Sequence, residues 1–145
     1  NTYLTYDALR DELLERIESL TIKHDSTTNS AGFRRVGSAE VVDIQTSPGV
    51  CHPIIRTHPE TKRKTLYLGR RRYAYIPGLS LKESEALLDE LWAHAIQERF
   101  FWHHQWQVGD VAVWDNRCAM HRRDDFPQNE RRIMHRTQIK GDKPY

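Results

Sequence analysis

Only two stretches of this chain carry helical periodicity. Nearly everything between and after them reads as short extended segments separated by turn residues. Residues 6–20 place Leu9, Leu13, Ile17 and Leu20 at helical spacing. Asp7, Arg10, Asp11, Glu15 and Glu18 fall on the wet side, with Thr5 as N-cap. The second helix starts at Ser80, where Ser80 and Glu83 form a capping box. Leu87, Leu88, Leu91, Ala95 and Ile96 make its apolar stripe, and it should end near Glu98. Strands are expected at 53–56, 65–68, 73–76, 100–106, 111–114 and 132–139, with turns at 58–62, Pro77-Gly78 and Gly109-Asp110. Several short strands and two helices predict an α+β chain, mainly β, built on an antiparallel sheet. Residues 24–49 carry a polar run through Ser26, Thr27, Thr28, Asn29, Ser30 and Gly32. Two readings stand for them, a mobile or disordered lid and an ordered irregular connection.

Composition narrows the classes. A length of 145 residues supports one domain with a core. Apolar residues make up 38%, below the roughly 45–50% of a typical globular chain. With a first residue of Asn1 rather than Met, this leads us to expect a piece of a longer protein. The 22 basic and 20 acidic residues nearly balance, at a net charge of +2. There is thus no electrostatic case for nucleic acid or an anionic membrane, and no apolar run is long enough to span a bilayer. Cys51 and Cys118 are too few for a disulfide framework and lack metal-type spacing. They are expected to be inert packing residues in a reducing, cytoplasmic setting.

The chemistry concentrates in 114–121 and 130–137. On a strand, Arg132, Met134 and Arg136 share one face and Ile133, His135 and Thr137 the other. Two arginines on one face of a core strand are costly unless anions meet them. A guanidinium fork fits a carboxylate or similar oxyanion in two-point fashion. Spacing alone leaves two readings: a site for acidic small molecules beside His121, or a surface ladder paired with Glu130, Asp124 and Asp125. His103 and His104, adjacent on a strand, point to opposite faces and do not share a metal. Trp92, Trp102 and Trp106 are expected in the core. Arg70, Arg71 and Arg72 are expected to be solvated, while Arg122 and Arg123 sit where they could attract an acidic substrate.

The words WDNRCAMH at 114–121, ERRIMHRT at 130–137 and GDKP at 141–144 resemble the C-terminal part of the TauD/TfdA family of iron(II)- and 2-oxoglutarate-dependent dioxygenases. HPIIRTHPETKRKTLYLG at 52–69, LKESEALLDELWAH at 81–94 and NTYLTYDAL at 1–9 extend the resemblance over nearly the whole chain, most weakly through 24–49. It implies a double-stranded β-helix, or jelly-roll, core with flanking helices, incomplete here on its N-terminal side. Residues 1–145 would be the C-terminal portion of a single such domain. It also implies iron(II), 2-oxoglutarate and O2 as cofactor and cosubstrates, held by two histidines, a carboxylate and arginine forks. Decarboxylation of 2-oxoglutarate to succinate would be coupled to hydroxylation of a small organic acid: a sulfonate such as taurine, an alkyl sulfate or an aryloxyalkanoate.

Position by position, His121 matches the distal iron histidine. Arg132 matches the arginine on the far carboxylate of 2-oxoglutarate. Arg136 matches the arginine that contacts 2-oxoglutarate or the acidic substrate, and Trp114 resembles a wall of the cosubstrate pocket. The family's upstream H-x-D pair has no counterpart here. His58-Pro59-Glu60 has H-x-E form, but it matches a strand-connecting segment in a turn rich in Lys62, Arg63 and Lys64, so it is not assigned to iron. The missing pair keeps a second reading open, a degenerate jelly-roll binding module without catalysis. Family members often associate, which leaves a homo-oligomer open.

Overall fold

The computed structural model describes every residue except 29–32, 39, 70–71, 123, 125–126, 128, 130, 132 and 142. The N-terminal periodicity is divided between two short helices, α1 (Thr2–Asp7) and α2 (Asp11–Ile17). Asn1, not Thr5, caps the first: its side chain accepts from the amides of Tyr3 and Leu4. Thr5 is buried inside α1, where its hydroxyl donates to the Thr2 carbonyl. The break at Ala8–Arg10 lets α2 restart with Asp11 and Glu12 in its first turn, where acidic groups suit the helix dipole. Leu13 and Ile17 still reach the core, and Tyr6, Leu9 and Leu20 pack against it.

β1 (Thr21–Asp25) and β2 (Gly49–Pro53) pair antiparallel, with Ile22 opposite His52 and Asp25 opposite Gly49. β3 (Ile55–Thr57) and β4 (Lys64–Leu66) form a second antiparallel pair, with Arg56 opposite Thr65. The expected strand at 53–56 is thus divided at Ile54, whose side chain is fully buried while its amide donates to the Leu20 carbonyl at 3.1 Å. Of the expected strand 73–76 only a bridge between Tyr75 and Lys23 forms. These two small sheets bear out the α+β class.

The connection from β1 to β2 is ordered at its stem by buried polar groups. The Lys23 amine is buried and donates to the carbonyls of Ile44, Gln45 (3.2 Å) and Ser47 (3.0 Å) and to the Ser47 hydroxyl (2.9 Å). Burial lowers the Lys23 pKa, against the raising effect of nearby acidic groups. Burial pushes the Asp25 carboxyl up, but the hydroxyls and amides of Thr27 and Thr28 outweigh it and lower its pKa. The described residues at both ends of 24–49 therefore favour the ordered irregular connection, since the buried side chains of Lys23, Asp25, Thr27, Thr28 and Ser47 are hydrogen-bonded there.

α3 (Leu81–Ala95) is capped as expected. Ser80 accepts from the Glu83 amide, and the Glu83 carboxylate accepts from the Ser80 amide. Leu87, Leu88, Leu91 and Ala95 are buried against Ile22, Ile54, Leu66, Leu68 and Ile76. Leu88 is fully buried. Leu88→Ala should therefore cost about 2–5 kcal/mol and lower the urea midpoint without changing the slope of the transition.

After the short 3-10 turn Glu98–Phe100, the described residues form no further helix or strand. The expected strands at 100–106 and 111–114 are not formed, nor is the described part, 133–139, of the third, so no strand divides Met134 and Arg136 from Ile133, His135 and Thr137; Arg132 lies outside the described residues. A strand exists only where a neighbour accepts its ladder, and among the described residues none does: Val111 is 87% exposed, Val113 91% and Ile139 100%. The period of two survives without the ladder. Phe101 lies against His103 at 5.1 Å, while Trp102 and Trp106 lie against His104 at 5.1 and 4.5 Å. His103 and His104 thus engage different rings. Trp102 and Trp106 are exposed rather than in the core, whereas Trp92 packs against it. Cys51 is exposed and not a packing residue, and Cys118 is half-buried; both are free thiols.

Candidate functional site

The segment that carries the site is fastened to the folded body just before His121. Asp115 accepts from the Arg117 amide at 2.8 Å and closes a turn in which the Cys118 amide donates to the Asp115 carbonyl. The Cys118 carbonyl accepts from the Thr2 amide at 2.9 Å, and the Arg117 carbonyl from the Thr65 hydroxyl at 3.5 Å. The backbone nitrogen of Asn1 donates to the Phe100 carbonyl at 2.9 Å. The start of α1 and the edge of β4 therefore hold 115–118 in place, three residues ahead of His121.

A charged network fills this junction. His58 is 3% exposed, and its Nδ1 accepts from the amides of Glu60 and Thr61, each at 3.2 Å. That leaves the proton on Nε2, which donates to Asp115 Oδ2 at 3.2 Å. Arg117 grips the same carboxylate, with Nε 3.0 Å from Oδ1 and Nη2 2.7 Å from Oδ2, and reaches Glu60 through Nη1 at 2.9 Å. The Arg117 fork, over the opposing effect of burial, holds the Asp115 carboxyl far below the usual carboxylate range. Asp115 in turn raises the Arg117 pKa.

Donor atoms of His58, Asp115 and Cys118 lie within 4.8 Å of one another. The set does not suit a metal. His58 Nδ1 is occupied by amides, its Nε2 carries the proton, and a guanidinium already neutralises the carboxylate. His58 and Glu60 therefore serve the junction, consistent with leaving them out of the iron set.

Because the Asp115 pKa is depressed in the folded state, its stabilisation is complete above the unfolded value, ~3.9. It is lost as pH falls through the folded value. Asp115→Asn should cost roughly 1 kcal/mol at neutral pH, a low figure because the carboxylate is a third exposed. It should also flatten the decline in stability below about pH 4. Urea melts at neutral and acid pH measure both.

Of the residues singled out from the sequence, Trp114 and His121 are brought together, with ring centroids 4.8 Å apart and planes tilted by 52°. The Trp114 indole N–H donates to Asn116 at 2.9 Å, which fixes the ring that supports the imidazole. His121 is exposed, and among the described residues neither ring nitrogen has a hydrogen-bond partner. Arg136 is exposed and, among the described residues, has no ion pair or hydrogen bond. Arg132 lies outside the described residues, as do Arg70, Arg71, Arg123, Asp125 and Glu130. Asp124 engages Arg122 at 3.6 Å and His103 at 3.9 Å. The surface ladder therefore does not form between Asp124 and Arg136. A cleft of about 280 Å³ lies elsewhere, lined by Thr27, Thr28, Arg34, Glu40, Arg72 and Tyr73. The His58–Asp115–Arg117–Glu60 network was not anticipated. Its signals were a histidine inside the turn 58–62 and the Asp of the WDN word.

The family described as "Taurine catabolism dioxygenase TauD, TfdA family" matches residues 1–138. The chain belongs to the TauD/TfdA family. Within it, the chain is 37% identical over 142 residues to the (S)-phenoxypropionate/alpha-ketoglutarate-dioxygenase of Sphingobium herbicidovorans, a match covering 94% of this chain and 49% of that protein. Among solved structures it is similar to a putative alpha-ketoglutarate dependent 2,4-D dioxygenase from Burkholderia xenovorans. The TM-score is 0.66 at 33% identity, over 81% of this chain and 45% of the other. It is also similar to AAD-2 in complex with Mn(II) and N-oxalylglycine, with a TM-score of 0.58 at 34% identity over 74% of this chain and 42% of that one. This TauD/TfdA chain spans about half the length of the curated relatives it matches. No helix among its described residues is long and apolar enough to cross a membrane.

Proposed function

We propose that this chain is the C-terminal portion of an iron(II)- and 2-oxoglutarate-dependent dioxygenase with a double-stranded β-helix core, which hydroxylates a small organic acid. The observation that carries the reading is His121. It packs on Trp114 with both ring nitrogens uncommitted among the described residues, and we assign it to the family's distal metal position. An imidazole in its neutral form is a ligand that suits iron(II). One imidazole does not hold the ion by itself, and the family's other ligands form the H-x-D word that these residues lack.

The chain's own groups then have separate tasks. Trp114 sets the plane of the His121 ring. The junction of Asp115, Arg117 and His58 fixes the segment from which His121 projects, so the imidazole nitrogen keeps one position relative to the body of the domain. Arg132 is assigned to the far carboxylate of 2-oxoglutarate. Arg136, with no competing acid among the described residues, is assigned to 2-oxoglutarate or the acidic group of the substrate. Arginine serves better than lysine because its charge persists and its fork binds at two points. Iron, when bound, supplies the activation of oxygen that couples loss of carbon dioxide from 2-oxoglutarate to hydroxylation.

The substrate is assigned to the aryloxyalkanoate, sulfonate or alkyl sulfate class, since relatives are named for phenoxypropionate, sulfonates and sulfate esters. Those relatives are named as enzymes, which does not favour the non-catalytic module. The test is succinate release by the full-length protein with iron(II), 2-oxoglutarate and a panel of these acids. Turnover that rises with at least one acid is expected, and no turnover with any of them ends the reading.

A further inference from the structure

We propose that the buried guanidinium of Arg56, which shares the Tyr67 ring with His52, forms a second oxyanion site, separate from Arg132 and Arg136, that takes a carboxylate- or sulfonate-type group. Arg56 sits on β3 and is only 5% exposed. Its Nε is sealed from water without a partner. Among the described residues no carboxylate, carbonyl or hydroxyl accepts from its side chain. The Tyr67 ring lies 5.2 Å from the guanidinium carbon. A ring face attracts the charge but offers no lone pairs to five N–H donors. Buried arginines are ordinarily met by an acid, because an isolated charge in the interior is costly.

Among the described residues, no acidic side chain is paired with this group. His52, on β2, lies 5.8 Å from Tyr67, and its Nδ1 is also buried without a partner. The C-terminal tail is tied alongside β3, where the Thr57 amide donates to the Tyr145 carbonyl at 2.8 Å. Burial, then Lys143, then Arg56 lower the His52 pKa. The His24 ring packs on both His52 and Tyr67, at 5.1 and 4.9 Å. Gly69 closes the wall behind it, since a Cβ there would stand 2.5 Å from the His24 ring. A guanidinium fork and an imidazole nitrogen, with no acidic side chain paired to them among the described residues, match the chemistry of a bound oxyanion. The anion arrives either as a free small acid or as an acidic side chain of another segment. This assignment does not depend on the oxygenase reading.

The experiment uses the full-length protein that carries this sequence, with sulfate as probe. The His52 ring is titrated by NMR between about pH 5 and 8, in sulfate and in chloride at equal ionic strength. For a free anion, sulfate raises the His52 midpoint by about one pH unit. Arg56→Met abolishes that response, and Arg56→Lys keeps part of it. For an acidic side chain, the midpoint stands at or above the ordinary histidine value in chloride and ignores sulfate. A midpoint that stays depressed and ignores sulfate overturns the proposal, and so does a sulfate response that survives Arg56→Met. The wild-type comparison decides even if the methionine variant does not fold.

Discussion

Replacing His121 with alanine in the full-length protein should lower succinate release from 2-oxoglutarate by at least about 100-fold, since even residues that only support a metal ligand are worth 10–100-fold. Bound iron should fall with it. The thermal midpoint should stay close to wild type, because His121 is exposed and exposed substitutions usually lie within about 0.5 kcal/mol. These readouts separate two roles. A histidine that only packs on Trp114 would, when removed, leave iron content unchanged. Trp114→Ala supplies the contrast: it keeps the imidazole but frees its ring from the 4.8 Å contact. It should lower turnover less than His121→Ala. Equal iron content and equal succinate release in wild type and His121→Ala would remove this residue from the metal set and leave the functional reading without its anchor.

What could be read from the amino acids follows from how local each signal is. The capping box of Ser80 and Glu83 and the stripe of Leu87, Leu88 and Leu91 are complete within one helix, so α3 stands where it was expected. The family words at 114–121 and 130–137 are contiguous too, which is why the family was legible before any fold was known. The helix over 6–20 was misread because periodicity continues across the break at Ala8–Arg10. The apolar positions are set by the core, not by the helix axis. The His58–Asp115 bond joins residues 57 apart in sequence, and no local pattern announces such a pair. Arg56 is the opposite case. Within HPIIRTHP nothing marks it out, and only the folded chain shows it buried beside Tyr67 with no acid paired to it among the described residues.

The failure of strands to form after Phe100 leads to the second large effect. Val108, Val111, Val113 and Ile139 are each at least 87% exposed, and Trp102 is 79% exposed. The ring contacts of Phe101–Trp106 already show the alternation of a strand, so what is missing is a partner. If 1–145 is the C-terminal portion of one jelly-roll domain, as proposed above, the remainder of that domain supplies the partner strands. The 145-residue chain produced alone should then associate, through unpaired extended backbone and exposed apolar groups. Size-exclusion chromatography with light scattering should find most of the protein in species larger than a monomer, and a dye that reports exposed apolar surface should bind strongly. Val111→Lys with Val113→Lys should shift the population toward monomer without altering the buried core, because neither side chain touches it. The same pair placed in the full-length protein should destabilise it, since there the two positions would lie against partner strands. A 145-residue monomer that binds no dye and unfolds in one sharp transition would contradict the division of the domain. So would a full-length protein indifferent to lysine at both positions.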